Sequence, residues 1–236
     1  MEETDYYNQR TDADNALRIR RDDEPRMSHA TYRMYARNAD LLLFRPTSIY
    51  GRVIAAVTHS KYSHVESVMW WADADRLMSC GYDKGGGGAA RPLSALVAQY
   101  PGKIDVYRVR TRAFADAGGA SIEACVTERL AADLGYAYRW RIVGGMALSL
   151  IPVIRWVMKS CAARSFTQRV AMKSRAGICS QHVARSFAAC GIDIVPEKYP
   201  HETTPADIAD APLTEYMGTL IGVRDMQLEP RTYAVL

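Results

Sequence analysis

Short apolar runs separated by turn residues dominate the first half of the chain, a pattern typical of β-strands. Asp40–Pro46 is almost continuously apolar and ends in proline, which predicts a buried strand. His64–Trp71 and Ile104–Arg110 alternate between apolar and polar residues and predict two further strands. Arg76–Tyr82 follows a turn-like segment and predicts a fourth.

Helical patterns occupy other stretches and become more frequent in the second half of the chain. They cover Gly51–His59, Ser121–Leu134, Ser165–Ala176 and Cys179–Cys190. Gly135 and Gly191 follow two of these patterns and are suited to end a helix. The glycine run Gly85–Gly88 lacks the Lys-Ser/Thr of a phosphate-binding loop and predicts a flexible loop.

Length and composition indicate one domain with appendages. The 236 residues are 48% hydrophobic and 24% charged, enough for one sizeable core. Residues 1–37 are polar and rich in charges of both signs, which predicts an arm that is disordered or docked on a partner. The amino terminus lacks the basic start and apolar core of a secretory signal, so we expect synthesis in the cytoplasm without export by the general route.

The distribution of charge is more informative than its sum. A net charge of +4 does not by itself favour or exclude a polyanionic partner. No nucleic-acid partner is expected. Residues 139–185, however, contain no Asp or Glu and predict a surface for anionic lipids or cell-wall polymers. The cations of this basic region are Arg139, Arg141, Arg155, Lys159, Arg164, Arg169, Lys173, Arg175 and Arg185.

Within the basic region, residues 142–157 are strongly apolar. This segment is shorter than the roughly 20 residues of a membrane-spanning helix, and Pro152 and Arg155 interrupt it. Three interpretations remain open. The segment forms a core helix, lies on a membrane surface, or covers an acyl-binding groove.

The chain has five cysteines without paired spacing, at positions 80, 125, 161, 179 and 190. This pattern predicts neither a disulfide framework nor a zinc site, and we expect reduced thiols in apolar surroundings. No metal ion or organic cofactor is implied by the sequence.

Cys179 differs from the other cysteines because it opens a predicted helix. Unpaired backbone N–H groups and the helix dipole favour a thiolate there and can also bind an oxyanion. His64 and Glu66, two residues apart in a predicted strand, lie on one face of it. We therefore predict Cys179 as nucleophile and His64 as general base, with Glu66 orienting the imidazole. His182, one turn after Cys179, is the weaker alternative base.

Four segments in this order resemble the circularly permuted branch of the NlpC/P60 papain-like superfamily, including its YiiX-like members. They are Asp40–Phe44, Val57–Glu66, Cys179–Val183 and Thr204–Ile208. The resemblance spans residues 38–224, so the predicted division is an arm over 1–37, a catalytic domain over 38–224 and a tail over 225–236.

The resemblance implies an α+β fold in which an antiparallel, barrel-like sheet packs on helices. It assigns Cys179 to the nucleophile and His64 to the base. Many relatives carry a glutamate at the position of Ser79, which this sequence lacks. Glu66 is the natural substitute, and phage-encoded relatives have a similar Tyr-Ser-His-x-Glu run.

The function implied is a cysteine hydrolase that cleaves amide bonds in peptidoglycan peptides through a thioester. One alternative is a lipid acyl hydrolase or transferase, as in the more distant branch similar to lecithin:retinol acyltransferase. The other is a structural virion or tail component with weak or no catalysis, attached to a larger assembly through its arm. For a virion-associated hydrolase, the expected place of action is the cell wall.

Overall fold

The computed structural model of the protein describes residues 24–71, 76–83, 87–110, 120–132, 134–135, 179–200 and 202–221. In these ranges the strands are β1 (Arg26–Met27), β2 (Leu41–Phe44), β3 (His64–Trp71), β4 (Arg76–Asp83), β5 (Gly87–Pro92), β6 (Ile104–Val109) and β7 (Thr214–Leu220). The helices are α1 (His29–Arg33), α2 (Ile49–Val57), α3 (Leu93–Gln99), α4 (Ala120–Ala132), α5 (Cys179–Ala188) and α6 (Pro205–Ala209).

All seven of these strands form one sheet, in the order β1-β7-β6-β2-β3-β4-β5. Neighbouring strands are antiparallel except at the edge, where the two-residue β1 runs parallel to β7. Within the described ranges, the pairing runs from β1 to β5 without closing into a barrel. The predicted α+β class is confirmed, and the sheet is predominantly antiparallel as expected.

Strand β2 lies in the middle of the sheet and explains why its sequence is a continuous apolar run. Leu41 and Leu43 face a core formed with α4 and α5, whereas Leu42 and Phe44 face a second core formed with α1 and α3. Successive side chains of a strand point to opposite faces of the sheet. When both faces are covered, both sets of side chains are buried and apolar residues are favoured at every position. Each buried side chain of this size contributes about 2 kcal/mol.

Residues 24–37, predicted as part of the charged arm, belong to the folded structure. Met27 pairs with Leu220 at the sheet edge, and Tyr32 is fully buried in the core below α3. Thr219 also donates its backbone N–H to the carbonyl of Pro25. The arm prediction is therefore wrong for these residues, because their apolar side chains complete the second core.

Several predicted segments lie outside the described residues. They are the first 23 residues of the arm, the apolar segment 142–157, the basic region from 139 to 178, the helical pattern Ser165–Ala176 and the tail 225–236. The predictions made for them remain predictions. In the part of the chain that is described, no helix is both long and apolar enough to cross a membrane.

A disulfide joins Cys125 in α4 to Cys190, which follows α5. The expectation of reduced thiols is thus wrong for this pair, whereas Cys80 and Cys179 are free. The two partners are 65 residues apart in sequence but have Cα atoms 6.0 Å apart, because α4 and α5 pack against each other. Sequence spacing carries no sign of such a long-range pair.

Reduction of this disulfide is expected to lower the free energy of unfolding by about 2–4 kcal/mol, because the bridge restricts the unfolded chain. Urea unfolding with and without dithiothreitol measures the effect. The matched control is the Cys125→Ala/Cys190→Ala variant, which should unfold at the lower urea concentration under both conditions. Equal stability of the oxidised and reduced proteins would contradict the prediction.

Candidate active site

Within the described residues, helix α5 begins at Cys179, which lies beside the start of β3. Val183, one turn along the helix, packs in the same core as Val65, and this packing holds α5 against β3. The Cys179 sulfur accepts hydrogen bonds from the backbone N–H groups of Val65 and Ser180 and shares a hydrogen bond with the His64 side chain. The structure thus brings together the cysteine and histidine that the sequence analysis selected.

The His64 imidazole is also bonded to Glu66. Its Nε2 atom lies 2.9 Å from Oε1 of Glu66. This contact follows from the two-residue repeat of β3, which puts both side chains on one face. The Phe44 ring on the neighbouring strand lies 5.2 Å from the imidazole, centroid to centroid, and limits its rotation. His64 thus contacts Cys179 on one side and Glu66 on the other.

Glu66 is almost completely buried, with 1% of its surface exposed, and is held by two further side chains. Ser79 donates its hydroxyl to Oε2, and Nη2 of Arg91 lies 2.5 Å from Oε1. Burial alone would raise the pKa of Glu66, but His64, Arg91 and Ser79 together hold this pKa below its usual value. The carboxylate is therefore ionised at neutral pH.

The same contacts set the protonation of the pair. Burial opposes both charged forms, but the adjacent imidazolium and the backbone N–H groups lower the pKa of Cys179. The Cys179 thiolate and Glu66 raise the pKa of His64 to about 10, against the opposing effect of burial. The two shifts have opposite directions and together favour a thiolate–imidazolium pair, which is the reactive form of a cysteine nucleophile.

Four contributors to the site were not assigned these roles from the sequence. Ser79, the place of the missing glutamate, bonds to the glutamate that replaces it. Arg91 belongs to β5, of which the first residues had been predicted as a flexible loop. Burial and the Cys179 thiolate raise the pKa of Tyr50, so its hydroxyl stays protonated within the electrostatic influence of the sulfur. The fourth is Gly81, opposite Glu66 in the sheet.

The predicted alternative base, His182, is buried within α5 and has 1% of its surface exposed.

Glycines outside the site also explain local structure. Gly191 has a φ of +84°, the left-handed conformation that ends a helix. The sequence prediction of a helix end at this position is confirmed.

Gly81 provides the space for the Glu66 side chain. A Cβ atom at Gly81 would lie 3.0 Å from both Cβ and Cδ of Glu66 and closer still to its Cγ. We expect Gly81→Ala to displace the carboxylate from His64 and to lower kcat/KM by about 10–100-fold. The measurement is steady-state kinetics together with a circular dichroism spectrum that shows an unchanged fold.

A double-variant comparison isolates the cause of this effect. In a Glu66→Ala background Cγ and Cδ are absent and only the Cβ contact at 3.0 Å remains, so adding Gly81→Ala should cost little further activity. If Gly81→Ala lowers kcat/KM by the same factor in both backgrounds, displacement of Glu66 is not the reason.

Comparisons with known proteins address the fold. The chain matches no protein-family model and none of the curated proteins. Among solved structures it is similar to YiiX of Escherichia coli O157:H7, described as a metalloprotein. The identity is 16% and the TM-score 0.52, over 78% of this chain and 98% of that chain. In the described ranges of this chain, no group of three or more His, Cys, Asp or Glu could hold a metal ion.

At 16% identity the likeness to YiiX shows a shared fold, which agrees with the α+β class seen in the sheet. The chain is therefore similar in fold to YiiX over nearly the whole length of that protein.

Proposed function

We propose that this protein is a cysteine hydrolase that cleaves an acyl bond through Cys179, His64 and Glu66. The observation that carries the proposal is the continuous chain of contacts from the thiol to the imidazole to a buried carboxylate. A thiolate at a helix start beside an imidazolium is a common arrangement for covalent acyl transfer. The papain-like fold expected from the four family-like segments is consistent with this chemistry, and the likeness in fold to YiiX supports it.

The contacts lead to a two-step reaction. The Cys179 thiolate attacks the substrate carbonyl carbon, and the resulting oxyanion lies near the backbone N–H of Cys179 at the start of α5. The His64 imidazolium gives its proton to the leaving group, and a thioester remains on the sulfur. Neutral His64 then takes a proton from water, which attacks the thioester and releases the acid and the thiolate.

An amide bond in a peptidoglycan peptide is the first choice of substrate. Residues 139–185 contain Lys and Arg but no Asp or Glu, a composition that suits an anionic wall polymer. The Cys125–Cys190 disulfide supports a place of action outside the reducing cytoplasm, because such bonds persist in oxidising surroundings. Attachment to a virion or tail, through residues preceding β1, would bring the protein to the wall.

A lipid acyl ester is the second candidate because α2 presents apolar side chains beside the site. Ile49 is 81% exposed and Val53 is 49% exposed, on the helix that also carries Tyr50. Residues four apart lie on one face of a helix, so these two form a continuous apolar strip. Such a strip fits an acyl chain better than a peptide.

Two digestions distinguish these candidates. Purified sacculi and a phospholipid with a labelled acyl chain are each incubated with the protein and with Cys179→Ala. Release of peptide fragments from sacculi supports the amidase, and release of labelled fatty acid supports the lipid enzyme. Undiminished release by Cys179→Ala would overturn the hydrolase proposal. Failure on both substrates would favour the structural component, which should then co-purify with its assembly.

A further inference from the structure

Arg91 contacts the same carboxylate oxygen that His64 contacts. Its Nη2 lies 2.5 Å from Oε1 of Glu66, and His64 Nε2 lies 2.9 Å from that oxygen. The position of Arg91 is fixed by the sheet, where it pairs directly with Ser79, the other side chain bonded to Glu66. Its own side chain is 39% exposed, whereas Glu66 is buried.

The contacts place four charges of alternating sign in a row. They run from the thiolate through the imidazolium and the carboxylate to the guanidinium of Arg91. This balance changes during the proposed reaction, because His64 becomes neutral when it protonates the leaving group. Without Arg91, Glu66 would then be a buried anion beside a neutral ring, which is a costly arrangement.

We propose that Arg91 is a positioning residue that keeps Glu66 ionised and directed at His64 while His64 is neutral. This inference rests on the proposed cysteine hydrolase and assigns to Arg91 a role that acts through Glu66. It further implies that Arg91 helps to preserve the Cys179 thiolate in mildly acidic solution. A protonated Glu66 would support the imidazolium less, and the sulfur would then recover its proton.

Other groups near Glu66 cannot replace Arg91. Cys80 on β4 and Tyr100 after α3 both lie within its electrostatic influence. Burial and the Glu66 charge raise the pKa of Cys80 to about 12. Burial and Glu66 also raise the pKa of Tyr100 against the effect of a hydrogen bond to Thr47. Both are neutral at physiological pH, so the cations acting on Glu66 are His64 and Arg91.

The test measures the thiolate directly. The rate of iodoacetamide alkylation at Cys179, read by peptide mass, is followed from about pH 5 to pH 9 in the protein and in Arg91→Met and Arg91→Lys. In Arg91→Met, Glu66 loses a contacting cation, so alkylation of Cys179 should be roughly tenfold slower near pH 5.5 and nearly unchanged near pH 9. Arg91→Lys keeps the charge and should follow the unmodified protein.

Two controls separate positioning from folding. In a Glu66→Gln background, Arg91→Met should not alter the alkylation profile, and this double variant removes both charges together, so it is expected to fold. An Arg91→Met profile that superimposes on that of the unmodified protein, or falls equally at every pH, would overturn the inference. If Cys179 of the unmodified protein alkylates no faster near neutral pH than an ordinary thiol, the proposed hydrolase itself fails.

Discussion

Replacing Cys179 by alanine is expected to reduce turnover by about 10⁴-fold or more, because the reaction then lacks the atom that forms the thioester. His64→Ala should cause a loss of similar size, since it removes both the proton donor and the cation that sustains the thiolate. The measurement is kcat on whichever of the two substrates the protein cleaves. Circular dichroism should show that both variants retain the fold.

Cys80→Ala is the matched control for this experiment. Cys80 is the other free, buried thiol in the described residues, and burial and Glu66 raise its pKa to about 12. It is therefore protonated and unreactive, and its replacement should leave turnover within about a factor of three. Equal losses in Cys80→Ala and Cys179→Ala would show that the effect is structural and that the nucleophile is misassigned.

The core of the site could be predicted because it depends on local repeats. His64 and Glu66 share a strand face by the two-residue period, and their 2.9 Å contact follows from it. Gly191 marked the end of the helix that carries Cys179, and the helical pattern before it began at Cys179. The meeting of Cys179 with His64 could not be read from any repeat and was expected from the order of the four family-like segments.

The rest of the site depends on strand pairing, which the sequence does not reveal. Arg91 reaches Glu66 only because β5 adds to β4 with Arg91 opposite Ser79. Two glycines open β5, and glycine weakens the strand pattern on which prediction relies. The Cys125–Cys190 disulfide likewise depends on how two helices pack.

The amino-terminal residues were difficult for a different reason. Arg26 and Arg33 flank the apolar Met27 and Tyr32, so the average composition resembled a solvated arm. The sequence did not show which strand β1 pairs with, because its partner, β7, lies nearly 190 residues later along the chain. Average polarity cannot detect two residues that complete a core and an edge.

Asp40→Ala is expected to lower the free energy of unfolding by about 3–5 kcal/mol, although the residue lies outside the active site. Its carboxylate accepts both Nε and Nη2 of Arg108, at 2.7 and 2.8 Å. It also accepts the Tyr32 hydroxyl at 2.7 Å and the Arg37 backbone N–H at 3.0 Å. Removing it leaves the buried Arg108 guanidinium without its anion, and chemical denaturation measures the cost.

We expect the loss of stability in Asp40→Ala to come from the buried Arg108 guanidinium that no longer has an anionic partner, rather than from the absence of the carboxylate itself. Asp40→Leu/Arg108→Met removes both charges and fills their space with apolar atoms, so it should recover most of the stability lost in Asp40→Ala. Glu197→Ala, at an exposed carboxylate, is the surface control and should change stability by less than about 0.5 kcal/mol. If the double variant is no more stable than Asp40→Ala, the hydrogen bonds to Tyr32 and Arg37 carry the stability instead.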